Sequence, residues 1–126
     1  MNNKTVLVVD DEPEVVEMLK MVLENASYSV LTAYDGTEAV QKTKEEKPDA
    51  IILDLMMPGV DGFNASKELK NSDDTADIPI LVLTAFDTKR AEAGYPKSKG
   101  LELETEDYIS KPVDPEVLLK RLEEVI

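Results

Sequence analysis

The stretch AIILDLMMPGVDG, Ala50–Gly62, decides the fold. Ala50-Ile51-Ile52-Leu53 is apolar at every position, so a strand here has both faces buried. Asp54 ends it with a formal charge, and Pro58-Gly59 turns the chain into a loop. A strand buried on both faces belongs in a parallel sheet covered by helices on either side. A carboxylate at its carboxyl end then stands where open α/β sheets bind ligands.

The same alternation runs along the rest of the chain. Thr5-Val6-Leu7-Val8-Val9 reads as another doubly buried strand, ended by Asp10-Asp11. Pro13 suits a first helical turn, and Glu12 and Glu14 suit the positive end of the helix dipole. That helix is expected to about Asn25, with Val15, Leu19, Val22 and Leu23 on its inner face. A strand follows from Tyr28 to about Ala33. Asp35-Gly36 turns, and Thr37 is the expected cap of a helix to about Glu46, with Ala39, Val40 and Thr43 inward. After the Ala50–Leu53 strand come a helix from about Gly62 to Ser72 and a strand Ile80–Leu83 ended by Thr84. Asp107–Ser110 is the fifth strand, ended by Lys111-Pro112. Asp114-Pro115-Glu116 opens a last helix with Leu118, Leu122 and Val125 inward. The β-α alternation predicts a flavodoxin-like (βα)5 three-layer sandwich. Its parallel sheet has the order 2-1-3-4-5 and right-handed crossovers. Residues 1–126 read as a single domain, with no repeat and no linker.

Composition removes several function classes. The 126 residues contain no cysteine and no histidine, which excludes disulfides, thiolate or imidazole metal sites and phosphohistidine chemistry in this chain. A net charge of −13 repels nucleic acid, and no apolar run reaches the length of a membrane span. A cytoplasmic protein without membrane or nucleic-acid contacts is expected.

At the carboxyl ends of the strands stand Asp10, Asp11, Asp54, Thr84 and Lys111, scattered in sequence and gathered only by folding. Three crowded carboxylates need a cation, and a hard oxygen site suits Mg²⁺, with Mn²⁺ as an alternative. One divalent ion and one lysine balance the three acids. The same set can hold a phosphoryl group, with Asp54 as an in-line nucleophile that forms an aspartyl-phosphate. Taken singly, each residue has an ordinary explanation. Acids favour a helix N-terminus, Asp54 can be a turn residue, Lys111 a surface lysine, Thr84 a strand end and Tyr108 a packing residue.

In combination, VLVVDDE, IILDLMMPGVDG, ILVLTA and YISKP, in that order, resemble the receiver domain of bacterial two-component response regulators. The resemblance implies a phosphorylation switch and not a turnover enzyme. Its phosphoacceptor would be Asp54, and its Mg²⁺ site Asp11, Asp54 and the backbone carbonyl of Met56, with Asp10 acting mainly through a water. Thr84 and Lys111 would stabilise the phosphoryl group, and Thr84 and Tyr108 would carry the switch. Met56 and Phe86 would border the attacking water, where neither orients it well, so the phosphorylated state should be long-lived. Lys111-Pro112 matches a position that is often cis in this family. The implied partners are a sensor histidine kinase or histidine phosphotransfer protein upstream, and a protein effector downstream.

The chain departs from that pattern between Thr84 and Tyr108. Gly94, Pro96 and Gly100 interrupt any long helix there. A short helix at about Thr88 to Ala93 and then an extended loop are expected. No effector domain is expected after the last helix, which implies signalling by binding another protein or a receiver cut from a longer chain. Three rivals fit less well. An aspartyl-phosphate phosphatase needs a second acid two residues past its nucleophile on the first strand, where this chain offers Met56 on the third. A degenerate receiver would lack one of the acids or the lysine. A flavodoxin-like flavin protein needs a Gly- or Ser/Thr-rich phosphate loop, whereas DDEPE repels phosphate.

Overall fold

The computed structural model describes residues 4–54, 62–84, 107–110 and 114–126. Five strands form one parallel sheet: β1 (Thr5–Val9), β2 (Ser29–Ala33), β3 (Ala50–Asp54), β4 (Ile80–Thr84) and β5 (Asp107–Ser110), in the order β2-β1-β3-β4-β5. The described helices are α1 (Pro13–Asn25), α2 (Gly36–Glu46), α3 (Gly62–Lys70) and α4 (Pro115–Val125). The expected helix at Thr88 to Ala93 lies outside the described residues.

Strand alternation splits the core into two layers. Val6, Val8, Ala50, Ile52, Leu81 and Leu83 face α1 and α4, meeting Val16, Leu19, Leu23, Leu118 and Leu122. Leu7, Val9, Ile51, Leu53, Ile80 and Val82 face the other way, toward Ala39 of α2 and Leu69 of α3. Every residue of β3 is buried, as its unbroken apolar run requires. Truncating one of these leucines to alanine costs about 2–5 kcal/mol, because a packed interior closes only partly around the void.

Three local expectations shift. The inner stripe of α1 is Val16, Leu19 and Leu23, with Val15 only partly buried and Val22 intermediate. Two apolar stripes share Leu19, and packing against the sheet selects the one spaced i, i+3, i+7. The cap of α2 is Asp35, not Thr37: its carboxylate accepts from the Glu38 N–H at 2.7 Å. Asp54 and Thr84 are themselves the last residues of their strands. On α2 the buried Thr43 hydroxyl donates to the Ala39 carbonyl at 2.7 Å, so it packs inward without an unmet donor.

α1 ends in a Schellman turn. The Tyr28 N–H donates to the Leu23 carbonyl and the Ser27 N–H to the Glu24 carbonyl, both at 3.0 Å. Ser27 therefore sits at φ 72°, in the left-handed region where a Cβ is penalised. Ser27→Gly is expected to stabilise the fold by about 0.5–1 kcal/mol. Urea denaturation checks this: the midpoint should rise with the slope unchanged.

Candidate functional site

The site is built by register. Val9 of β1 and Leu53 of β3 are partners, so the residues that follow them, Asp10 and Asp54, end neighbouring central strands side by side. Adjacent strands lie about 4.8 Å apart. Both acids are buried: Asp10 is 0% exposed and Asp54 2%. This is also where the strand order reverses, with β2 on one side of β1 and β3 on the other.

The loop after β1 turns tightly around Asp10. Its N–H donates to the Ala33 carbonyl at 3.2 Å, one rung beyond the last residue of β1. Its Oδ1 accepts from the Glu12 N–H at 3.0 Å. Pro13 then starts α1, whose positive end lies against the acids. Carboxylate oxygens of Asp10, Asp11 and Glu12 all lie within 4.8 Å of one another, with Asp10 buried and the other two exposed. A helix N-terminus explains why acids are favoured at Asp11, Glu12 and Glu14. It does not explain why two acids, Asp10 and Asp54, stand in the interior, where a charge has to be compensated. Hard oxygen donors gathered this way fit Mg²⁺ or Mn²⁺. Glu12 joins Asp10 and Asp11 as a further oxygen donor, which its direct succession to them in the sequence signals.

On the other side of β3, Asp54 partners Leu83 of β4, so the backbone of Thr84 stands one residue further toward the same rim. Thr84 in turn partners Ser110 of β5. Lys111 is the next residue in sequence after that rung. Tyr108 partners Val82, two rungs below the rim. Lys111, Pro112, Met56 and Phe86 lie outside the described residues. Among the predicted residues, the described structure groups the carboxylates of Asp10 and Asp11, together with that of Glu12, and register places Asp54 and the backbone of Thr84 at the ends of neighbouring strands.

This order of strands, with acids at or just past the ends of β1 and β3, defines a doubly wound α/β protein with an acidic rim at its topological switch point. The family model of the response regulator receiver domain matches residues 6–123. The alkaline phosphatase synthesis transcriptional regulatory protein PhoP of Bacillus subtilis is 42% identical over 124 residues, 98% of this chain and 49% of PhoP. The chain therefore spans about half the length of that relative. The chemotaxis response regulator CheY4 of Vibrio cholerae superposes with a TM-score of 0.87 at 34% identity, covering 99% of this chain and 100% of CheY4. The response regulator TrrA of Thermotoga maritima, solved in complex with Mg²⁺–BeF, superposes with a TM-score of 0.80 at 29% identity, covering 98% of this chain and 99% of TrrA. The chain belongs to the response regulator receiver domains, the switch domains of two-component signalling.

Two buried neighbouring carboxylates repel each other when no cation lies between them. Asp54→Asn keeps the shape and removes one charge. It is expected to raise stability in metal-free buffer by roughly 1 kcal/mol, and to shrink the further stabilisation that Mg²⁺ gives the wild-type chain. Thermal melts with EDTA and with Mg²⁺ measure both effects.

Proposed function

We propose that this receiver accepts a phosphoryl group on Asp54. The burial of Asp54 beside Asp10, at the ends of the two central strands, is the observation that carries the reading. Asp10, Asp11, Asp54 and the Met56 backbone carbonyl would hold Mg²⁺, which supplies positive charge to the phosphoryl oxygens when bound. The Mg²⁺–BeF complex of TrrA supports a site of this chemistry.

In the transfer, an Asp54 carboxylate oxygen attacks phosphorus in line with the donor's phosphohistidine nitrogen. The P–N bond breaks as the aspartyl P–O bond forms, and the donor imidazole leaves. The donor is a histidine kinase or phosphotransfer protein, because this chain has no histidine. Lys111 pairs with the phosphoryl charge and the Thr84 hydroxyl donates to it. Tyr108 follows Thr84, which biases a two-state surface. The domain modifies itself once per signal and does not turn over a substrate. Its place is the cytoplasm; among the described residues no helix is long and apolar enough to cross a membrane.

Two outputs fit. One is the binding of a separate protein effector. The other is control of an effector on the same polypeptide, which the half-length match to a transcriptional regulatory protein favours. In either case a net charge of −13 assigns nucleic-acid binding to something other than this domain.

Incubation with acetyl phosphate and Mg²⁺, followed by intact mass, should show one added phosphoryl group in the wild type. Asp54→Asn should show none, and a second site of labelling at the wild-type rate would overturn the assignment. Met56 and Phe86 offer no strong hydrogen bond to an attacking water. Release of inorganic phosphate from the modified protein should therefore take many minutes, and Met56→Asn should shorten it several-fold. A wild-type half-life of seconds contradicts this role for the two side chains.

A further inference from the structure

Among the described residues, β2 is an edge strand partnered by β1 alone. The Ser29 N–H donates to the Lys4 carbonyl and the Ala33 carbonyl accepts from the Asp10 N–H, so the odd-numbered residues of β2 face β1. In a parallel strand the alternate residues then turn their backbone groups to the open edge. Two side chains from one face of α2 meet those groups. Glu38 Oε1 accepts from the Tyr34 N–H at 2.7 Å, and Lys42 Nζ donates to the Thr32 carbonyl. Glu38 and Lys42 are also paired with each other, Oε2 to Nζ at 3.4 Å, one helical turn apart.

The Ala33 carbonyl and the Tyr34 N–H belong to the same peptide unit. Its oxygen accepts from Asp10 on the inner side, and its N–H donates to Glu38 on the outer side. Hydrogen bonds at opposite ends of one peptide polarise each other, and the outer one is charge-assisted. The peptide's plane is also rigid, so turning it to satisfy one side disturbs the other. From this shared peptide we infer that Glu38, with Lys42 holding its carboxylate in place, is a positioning residue for the Asp10–Glu12 acid loop. It sets how firmly the backbone of Asp10 is held, and through that the affinity of the acid pocket for a divalent cation. The affinity part rests on the reading that Asp10 and Asp11 hold the cation; the anchoring of Asp10 does not.

Glu38→Ala removes the outer hydrogen bond, Glu38→Gln keeps an acceptor without the charge, and Lys42→Met frees the carboxylate from its partner. Hydrogen exchange of the full-length chain in metal-free buffer tests the anchoring. In Glu38→Ala the Asp10 amide should exchange about threefold to tenfold faster, the change expected from losing one hydrogen bond. The amides of Val16 and Ile52 should keep their protection, Glu38→Gln should recover most of the loss, and Lys42→Met should fall between. Titration with Mg²⁺ alone, followed by the amide resonances of Asp10 to Glu12, should show Kd raised by a similar factor in Glu38→Ala. Unchanged exchange at Asp10, or an equal loss of protection at Asp10, Val16 and Ile52, overturns the proposal. If Glu38→Ala does not fold, the graded order of Glu38→Gln and Lys42→Met decides it by the same measurement. Asp10→Asn is the control: a wild-type Mg²⁺ affinity there sinks the metal reading, while the exchange result still stands or fails by itself.

Discussion

Two buried acids, Asp10 just past the end of β1 and Asp54 at the end of the neighbouring β3, are the constraint around which this domain is arranged. An isolated ion in a protein interior costs several kcal/mol, and two of like sign cost more. The fold places these two acids at a rim that can be reached from outside. The rim at the switch point is reached by solvent through the exposed Asp11 and Glu12, and it receives the positive end of α1. A divalent cation would lower that cost, whereas a phosphoryl group adds negative charge and would depend on such a cation.

What surrounds the pair is built to stay still. All of β3 and most of β1 are buried between two helical layers, so the backbone beneath the acids has no soft direction in which to relax. Lys70 Nζ donates to the Ile78 carbonyl at 3.0 Å and to the Ala76 carbonyl at 3.2 Å, which holds the segment leading into β4. The β2 edge is held from outside by Glu38 and Lys42. An open edge invites another strand, and charged side chains spent on its backbone groups discourage this. The same pair therefore serves solubility and, through one peptide, the geometry of the acid loop.

Local signals failed where two readings had nearly equal local merit. Thr37 is a good capping residue, but Asp35 lies where the chain leaves β2 in an extended conformation, and it takes the Glu38 N–H. On α1, Val15 and Val16 are equivalent in hydrophobicity, and only the sheet decides which turns inward. Glu38 and Lys42 read as an ordinary exposed i, i+4 ion pair worth a few tenths of a kcal/mol. Nothing in their spacing tells that the open edge of β2 lies beneath them.

The sequence by itself determined the five apolar runs, their alternation with helices, and the acids that end the first and third runs. Those features follow from periodicity and from where charge interrupts it, which are local properties of the chain. Together they sufficed for the parallel sheet and for a rim bearing carboxylates. Only the tertiary structure decided that Asp10 and Asp54 follow paired residues of neighbouring strands, that both are removed from water, and that a peptide of β2 links the first of them to α2. Adjacency and burial depend on which segments pair across the sheet, and pairing is fixed by the simultaneous packing of both faces.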